Sequence, residues 1–182
     1  MRHVFTYVFL AILAATVLLS CVEDIDTNQF DDLSLTPTLE ASLLYVEATE
    51  QLINLVDGNT VFNNNFNFDA FSTDVFAERV IEGTIVYVVE NTTSKELEIT
   101  VEFLDESETV LDTEVFSVEP APTMVLQKEI FYGPAGRSID IITNLSSIRV
   151  SAINRGDSDS TSSAPEPMVT LKSSGKFTVR VK

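Results

Sequence analysis

The chain has 182 residues, 11 of them basic and 28 acidic, for a formal charge of −17. That balance argues against nucleic acid as a partner, since such affinity comes largely from neutralising phosphates, and against attraction to anionic lipid headgroups. There is one His (His3), one Cys (Cys21) and no Trp, so an intrachain disulfide is impossible and imidazole- or thiol-based catalysis and zinc binding have almost nothing to draw on.

Met1 and Arg2 give a short positive start, and residues 4–19 are almost wholly apolar, broken only by Thr6, Tyr7 and Thr16. That run is shorter than the roughly 20 residues that span a bilayer, and it reads as an export signal. It closes on Leu18-Leu19-Ser20-Cys21, which resembles the lipobox of bacterial lipoprotein signal peptides. The resemblance implies a diacylglyceryl group on the Cys21 thiol, cleavage after Ser20, and acylation of the new amine. Two or more acyl chains anchor stably, at about 0.8 kcal/mol per buried CH₂. Residues 1–20 are then removed, and the mature chain keeps neither imidazole nor free thiol.

Residues 21–37 read as an acidic tether. Glu23, Asp24, Asp26, Asp31 and Asp32 lie there ahead of Pro37, and high charge with low hydrophobicity disfavours packing. The acidic residues behind the Cys also resemble the export signal of Bacteroidetes surface lipoproteins. That implies an outer-membrane anchor facing the cell surface; without such export the same anchor faces the periplasm.

Residues 38–182 form one domain, large enough for a proper core. The first strand is expected at 39–46, although Leu44, Ala48, Leu52 and Leu55 also fit a helical stripe. Residues 59–71 interleave Asn59, Asn63, Asn64, Asn65 and Asn67 with Phe62, Phe66, Phe68 and Phe71. A helical turn is expected within 71–79. Residues 80–89 are rich in β-branched and aromatic side chains and suit a central, mostly buried strand. Residues 90–95 supply turn chemistry. In 97–103, Leu97, Ile99, Val101 and Phe103 alternate with Glu98, Thr100 and Glu102, the pattern of a strand with one wet face. Residues 110–118 make a further strand, stopped by Pro120. Residues 124–132 and 139–142 read as the next pair, 148–153 as another strand, and 154–167 as a polar loop. The end reads as a hairpin, 169–172 and 176–182, turning at Ser173-Ser174-Gly175.

These elements predict an all-β fold, an antiparallel sandwich of about seven or eight strands. Glu90-Asn91-Thr92 after a long strand, with Phe103-Leu104-Asp105 ending the next, resembles immunoglobulin-like sandwiches of secreted bacterial proteins. It resembles in particular small lipoproteins of flavobacteria, over most of the mature chain. The resemblance implies a fold and a location and carries no activity with it. Charge is segregated: residues 22–119 hold 2 basic against 23 acidic residues, and 120–182 hold 8 against 5. Opposite charges on facing strand positions favour pairing, so the C-terminal strand, with Arg180 and Lys182 outward, is expected beside an acidic-faced early strand.

The candidate sites are few. Asp105, Glu106 and Glu108, or Asp157 and Asp159, are the oxygen-rich groups that Ca²⁺ would require, although the expected Gly and Glu of a calcium loop are absent after Asp157. Asp159-Ser160-Thr161 resembles a Bacteroidetes O-glycosylation acceptor, with Ser160 as the modified residue. Phe62, Asn64, Phe66 and Phe68 are the best ligand-binding candidates, since aromatic faces stack on sugars and Asn both donates and accepts. Tyr45, Tyr87 and Tyr132 are expected as buried rings with hydroxyls at a rim. No spacing selects the carboxylate pair that a glycosidase-like hydrolase needs, and no cofactor is implied. The sequence therefore favours a non-catalytic, lipid-anchored binding or assembly module with an envelope protein as partner. A glycan-binding accessory that uses residues 59–71 is the alternative, ahead of a carboxylate-based hydrolase.

Overall fold

The computed structural model describes Val4 and residues 34–56, 60–68, 73–121 and 125–181. The signal peptide, Ser20 and Cys21 lie outside the described residues, as do Asn59 and Phe71 at the two ends of the Asn/Phe segment. No helix among the described residues is long and apolar enough to cross a membrane.

Among the described residues from 34 on, eight strands and three short helices follow in chain order: β1 (Thr38–Thr49), α1 (Glu50–Leu55), β2 (Thr60–Asn67), α2 (Asp74–Ala77), β3 (Val80–Asn91), β4 (Leu97–Leu104), β5 (Val110–Val118), β6 (Leu126–Tyr132), α3 (Asp140–Thr143), β7 (Ser147–Asn154) and β8 (Met168–Val179). They build two four-stranded antiparallel sheets, ordered β1-β8-β3-β6 and β2-β7-β4-β5. The expected all-β antiparallel sandwich is thus the fold. Its strand order is that of a jelly roll, which the immunoglobulin-like resemblance does not supply. Among the described strands, only β4 and β5 are paired as consecutive strands.

Period-two patterning makes the core. In β4, Leu97, Ile99, Val101 and Phe103 are buried while Glu98, Thr100 and Glu102 are partly exposed. β3 lies between β8 and β6 but alternates as well, so its outer face (Val86, Val88) stays half-exposed. Ile85, Tyr87, Val89, Leu97, Ile142, Leu145, Ile148 and Leu171 form the driest part of the interior, and burying each such side chain contributes roughly 1.5–3 kcal/mol.

Three expected elements differ. Residues 139–142 form no strand but the single turn α3, where the Asp140 N–H donates to Ser138 Oγ at 3.2 Å and Ile142 is carried into the core. The C-terminal hairpin is one unbroken strand. β8 runs straight through Ser173, Ser174 and Gly175 because it is paired on both edges, Gly175 lying opposite Ala41 of β1 and Ile85 of β3. Glycine is there for packing rather than turning: the Phe177 ring lies over Gly175 and Gly83, and a Cβ at either would overlap it. The helical stripe at 44–55 resolves into both readings, β1 first and then α1, capped where Thr49 Oγ1 accepts from the Leu52 N–H at 3.3 Å.

The charge expectation holds on β8. Glu40 of β1 lies opposite Lys176, and their side chains pair at 3.2 Å. Arg180 falls just past the end of the strand, and Lys182 lies outside the described residues. Backbone pairing begins at Leu35, within the stretch read as tether, where Leu35 and Val181 exchange two hydrogen bonds.

A candidate binding edge and two polar clusters

The Asn/Phe segment forms β2, an edge strand hydrogen-bonded to β7. Phe62, Asn64, Phe66 and Phe68 share one side of the strand by parity. The structure brings these four together, but not as a free aromatic platform. The three rings are half-buried and packed on the core, and Phe62 and Phe66 stack with centroids 6.4 Å apart. Asn63, Asn64 and Asn65 are exposed. The Asn65 N–H donates to Asn64 Oδ1 at 3.0 Å, and because the Phe68 N–H donates to Ser146 O at 2.8 Å, alternation turns the main-chain groups of Asn65, paired in register with Arg149, away from β7.

Charge separates β2 from the other edges. The four edge strands are β1, β6, β2 and β5. β1 carries Glu40 and Glu47, β5 carries Asp112 and Glu114, and β6 carries Lys128 and Glu129, whereas Thr60–Asn67 carries no charge. Edge charges are a common guard against strand addition, and β2 lacks it in a chain dense with carboxylates.

A polar cluster closes one end of the sandwich, and sequence reasoning missed it. Lys95 is fully buried, its Nζ held by Ser160 O at 2.7 Å, Ser160 Oγ at 3.0 Å and Asp157 Oδ1 at 3.1 Å. Glu50, also buried, accepts from the N–H groups of Ser94 at 2.5 Å and Ser162 at 2.8 Å. Burial pushes the Glu50 carboxyl up, but those N–H groups, together with Lys95, outweigh it and hold the group below its usual range. Asn91 Nδ2 donates to the carbonyls of Lys95 and Glu119 at 2.7 and 2.9 Å, while its Oδ1 accepts from Thr93. One signal was available: Lys95 is one of two basic residues in 22–119.

This cluster gives the sequence candidates other roles. Asp157 Oδ1 accepts from the N–H groups of Ser160 and Asp159 and from the Ser160 hydroxyl, in addition to Lys95. The Ser160 donors lead in holding the Asp157 carboxyl well below the usual range. Asp159 is exposed and contributes only its N–H to that turn. No three His, Cys, Asp or Glu side chains among the described residues converge as a metal site requires. The Ser160 hydroxyl also accepts from Ser94 Oγ at 3.1 Å, so a glycan on it would remove the donor that Asp157 uses. Asp105 Oδ1 closes the β4–β5 turn by accepting from Ser107 and Thr109 at 2.8 Å each. Beside the buried cluster, α1 and residues 161–168 flank an open groove of about 620 Å³, lined in part by Glu50, Asn54, Leu55 and Met168.

The second cluster joins β5 to β6 across the sandwich. Arg137 pairs with Asp112 at 2.5 Å and with Glu114, Lys128 pairs with Glu114, and Tyr132 Oη donates to Asp112 Oδ2 at 2.9 Å. Asp112 and Glu114 are thus a carboxylate pair with cations on both members, not an acid and a base facing a cleft. Burial above all, with nearby carboxylates adding, raises the hydroxyls of Tyr87 and Tyr132 above the usual tyrosine range. These two rings are buried as expected, but the Tyr87 hydroxyl is buried with its ring and not set at a rim. Tyr45 is not: it stands 58% exposed on β1, its hydroxyl donating to Glu47 Oε2 at 2.7 Å.

No protein-family model matches the chain, and no curated protein matches it. Among solved structures, a chain of the infectious bursal disease virus Gx strain is 14% identical, with a TM-score of 0.33 over 82% of this chain and 33% of that one. This chain therefore spans about a third of the length of that viral chain. A chain of the Bacillus endospore appendages, described as disulfide-linked pili, is 7% identical, with a TM-score of 0.38 over 79% of this chain and 90% of that one. A chain of turnip yellow mosaic virus is 7% identical, with a TM-score of 0.34 over 82% of each chain. Likenesses this distant carry no functional argument.

Proposed function

We propose that this chain is a non-catalytic binding or assembly module, anchored to the outer membrane through lipid on Cys21 and facing the cell surface. The observation that carries the binding role is β2: an edge strand of eight residues with no charged side chain. An extended segment of an envelope protein can add to such an edge through main-chain hydrogen bonds, with side-chain pockets setting the choice. The anchoring part rests on the Leu18-Leu19-Ser20-Cys21 motif. The carboxylates that come together, Asp112 and Glu114, are neutralised by Arg137 and Lys128, which supports a role without catalysis. Sugar stacking has less support, because the Phe62 and Phe66 rings pack on the core and on each other.

Two measurements test this. Cells fed labelled palmitate should label the wild-type chain and not Cys21→Ala, and protease added to intact cells should digest a C-terminal tag. A chain without label refutes the anchor, and a protected tag refutes surface exposure. Photo-crosslinking from position 63 should capture an envelope protein, and capture unchanged by Asn65→Pro would refute β2 as the binding edge.

A further inference from the structure

β2 is nearly self-complementary. Phe62-Asn63-Asn64-Asn65-Phe66 reads the same in both directions. Two such strands laid antiparallel about Asn64 match each residue with its own kind: Phe62 with Phe66, Asn63 with Asn65, and Asn64 with itself. From this match we propose that the partner of β2 is a second copy of this chain, joined edge to edge by a two-fold axis through the Asn64 pair. The proposal rests on the binding-module reading and names its partner.

The hydrogen-bond phase of the strand permits this register. In an antiparallel ladder, alternate residues send both N–H and C=O to the same side. The Phe68 N–H donates to Ser146 O, toward β7, so alternation turns Phe66, Asn64 and Phe62 toward β7 as well, while the Asn65 N–H is held by the neighbouring Asn64 side chain. Asn65 and, by alternation, Asn63 therefore offer their main-chain groups outward. The proposed register sets Asn63 opposite the second copy's Asn65, so outward groups meet outward groups. Asn64 and its counterpart fall at the closer, non-hydrogen-bonded position, where the two amides can bond one another. Phe62 faces the second copy's Phe66 on the same sheet face, a cross-strand aromatic pair.

Charge selects the same edge. Two copies each carrying −17 repel, and like charges opposed across an edge work against pairing. Self-pairing of β1 or β5 brings Glu40 and Glu47, or Asp112 and Glu114, toward their own copies. Self-pairing of β6 would set Lys128 against Glu129 but lacks the self-matching sequence, and β2 brings no charge to the pairing at all. The interface is isologous and closes on itself, giving a continuous sheet of two β2-β7-β4-β5 halves and no filament.

The test uses the full chain in detergent with Cys21→Ser, which leaves no other thiol. Asn64→Cys then places the sole thiol at the axis, within the Cα separation a disulfide allows. Thr60→Cys places it about 26 Å from its counterpart at 3.3 Å per residue. Mild oxidation should give a disulfide-linked dimer for Asn64→Cys at a rate at least roughly tenfold above Thr60→Cys. In sedimentation velocity the Cys-free parent should run as a dimer. Asn65→Pro, which removes an N–H that the β7 ladder does not use, should run as a monomer with unchanged circular dichroism. A monomeric parent, equal oxidation at the two positions, or a dimer that survives Asn65→Pro overturns the pairing. Failure of the binding-module reading is distinguishable: photo-crosslinking from position 63 then captures no protein at all, whereas capture of a different envelope protein overturns the self-pairing alone.

Discussion

The two lateral seams of the sandwich are closed by different physics. On one side β5 and β6 are joined by Asp112, Glu114, Lys128, Arg137 and Tyr132, a network of charges and a hydroxyl. On the other, β1 and β2 meet over apolar side chains, with Val46, Ala48, Phe62, Ile99 and Val150 around a small gap of about 20 Å³. The charged seam is directional: every group has a partner at a fixed place, and its edges carry the charges that discourage strand addition. The apolar seam fixes no such geometry and leaves an uncharged strand at its rim. The ion-paired seam and the uncharged edge strand thus lie on opposite sides of one molecule.

The largest effect is expected at the charged seam. Arg137→Ala strips a cation from Glu114, which is 4% exposed, and from Asp112. Glu114 keeps Lys128, but Asp112 is left with the Tyr132 hydroxyl and no cation, and breaking the network in this way should cost about 3 kcal/mol in urea unfolding. Arg137→Lys should recover only part of that, because an ammonium cannot reproduce the forked contact with two carboxylates. At the apolar seam Phe62→Ala should cost about 2 kcal/mol, less than a fully buried ring because Phe62 is half-exposed. A result in which Phe62→Ala outweighs Arg137→Ala would invert the comparison.

Alkali should separate the seams further. Tyr87 and Tyr132 have hydroxyls raised in the folded state, chiefly by burial. Their contribution is therefore full below the ordinary tyrosine value of about 10 and is lost as pH climbs through the higher folded values. Unfolding midpoints should fall above about pH 10, by the same amount in Phe62→Ala as in wild type, because neither hydroxyl lies at the apolar seam. A larger fall in Phe62→Ala would mean that the seams are coupled. The smallest effect belongs to the β1–β8 pairing, where Lys176 and Glu40 are 61% and 68% exposed. Lys176→Ala should leave the unfolding midpoint unchanged within error, since exposed pairs contribute little.

Most strands were legible because their burial is one-sided. β4 could be placed from alternation alone, as it has one wet face; β5 could not, since Glu114 is buried and Val115 exposed, and its end was marked by Pro120. Residues 139–142 could not, because a four-residue apolar run has no period to read. Ser138 and Asp140 decide the matter through a local hydrogen bond. Ser173-Ser174-Gly175 has turn chemistry by composition, yet its small side chains serve the Phe177 ring and two flanking strands. The site was legible in part. The four residues Phe62, Asn64, Phe66 and Phe68 do share a strand side, but their burial depends on β7 and the opposing sheet. The Lys95 cluster was hidden because its members, Glu50, Ser94, Lys95, Asp157, Ser160 and Ser162, come from three separate stretches of chain.

The place of β8 has a consequence for how the chain folds. β8 is hydrogen-bonded to β1 on one edge and to β3 on the other, so the last strand made is the one that joins the first to the third. Until it emerges, β1 has no strand to pair with, and β3 and β6 can form only a two-stranded ribbon. Of the six strand pairings, β4–β5 alone is available early as a hairpin. Such non-local order makes folding slow and, in a chain made or exported from its N-terminus, postpones closure of the sheet to the end. A chain cut before Met168 would lose not one strand but the connection between two parts of a sheet, and should remain open to proteases.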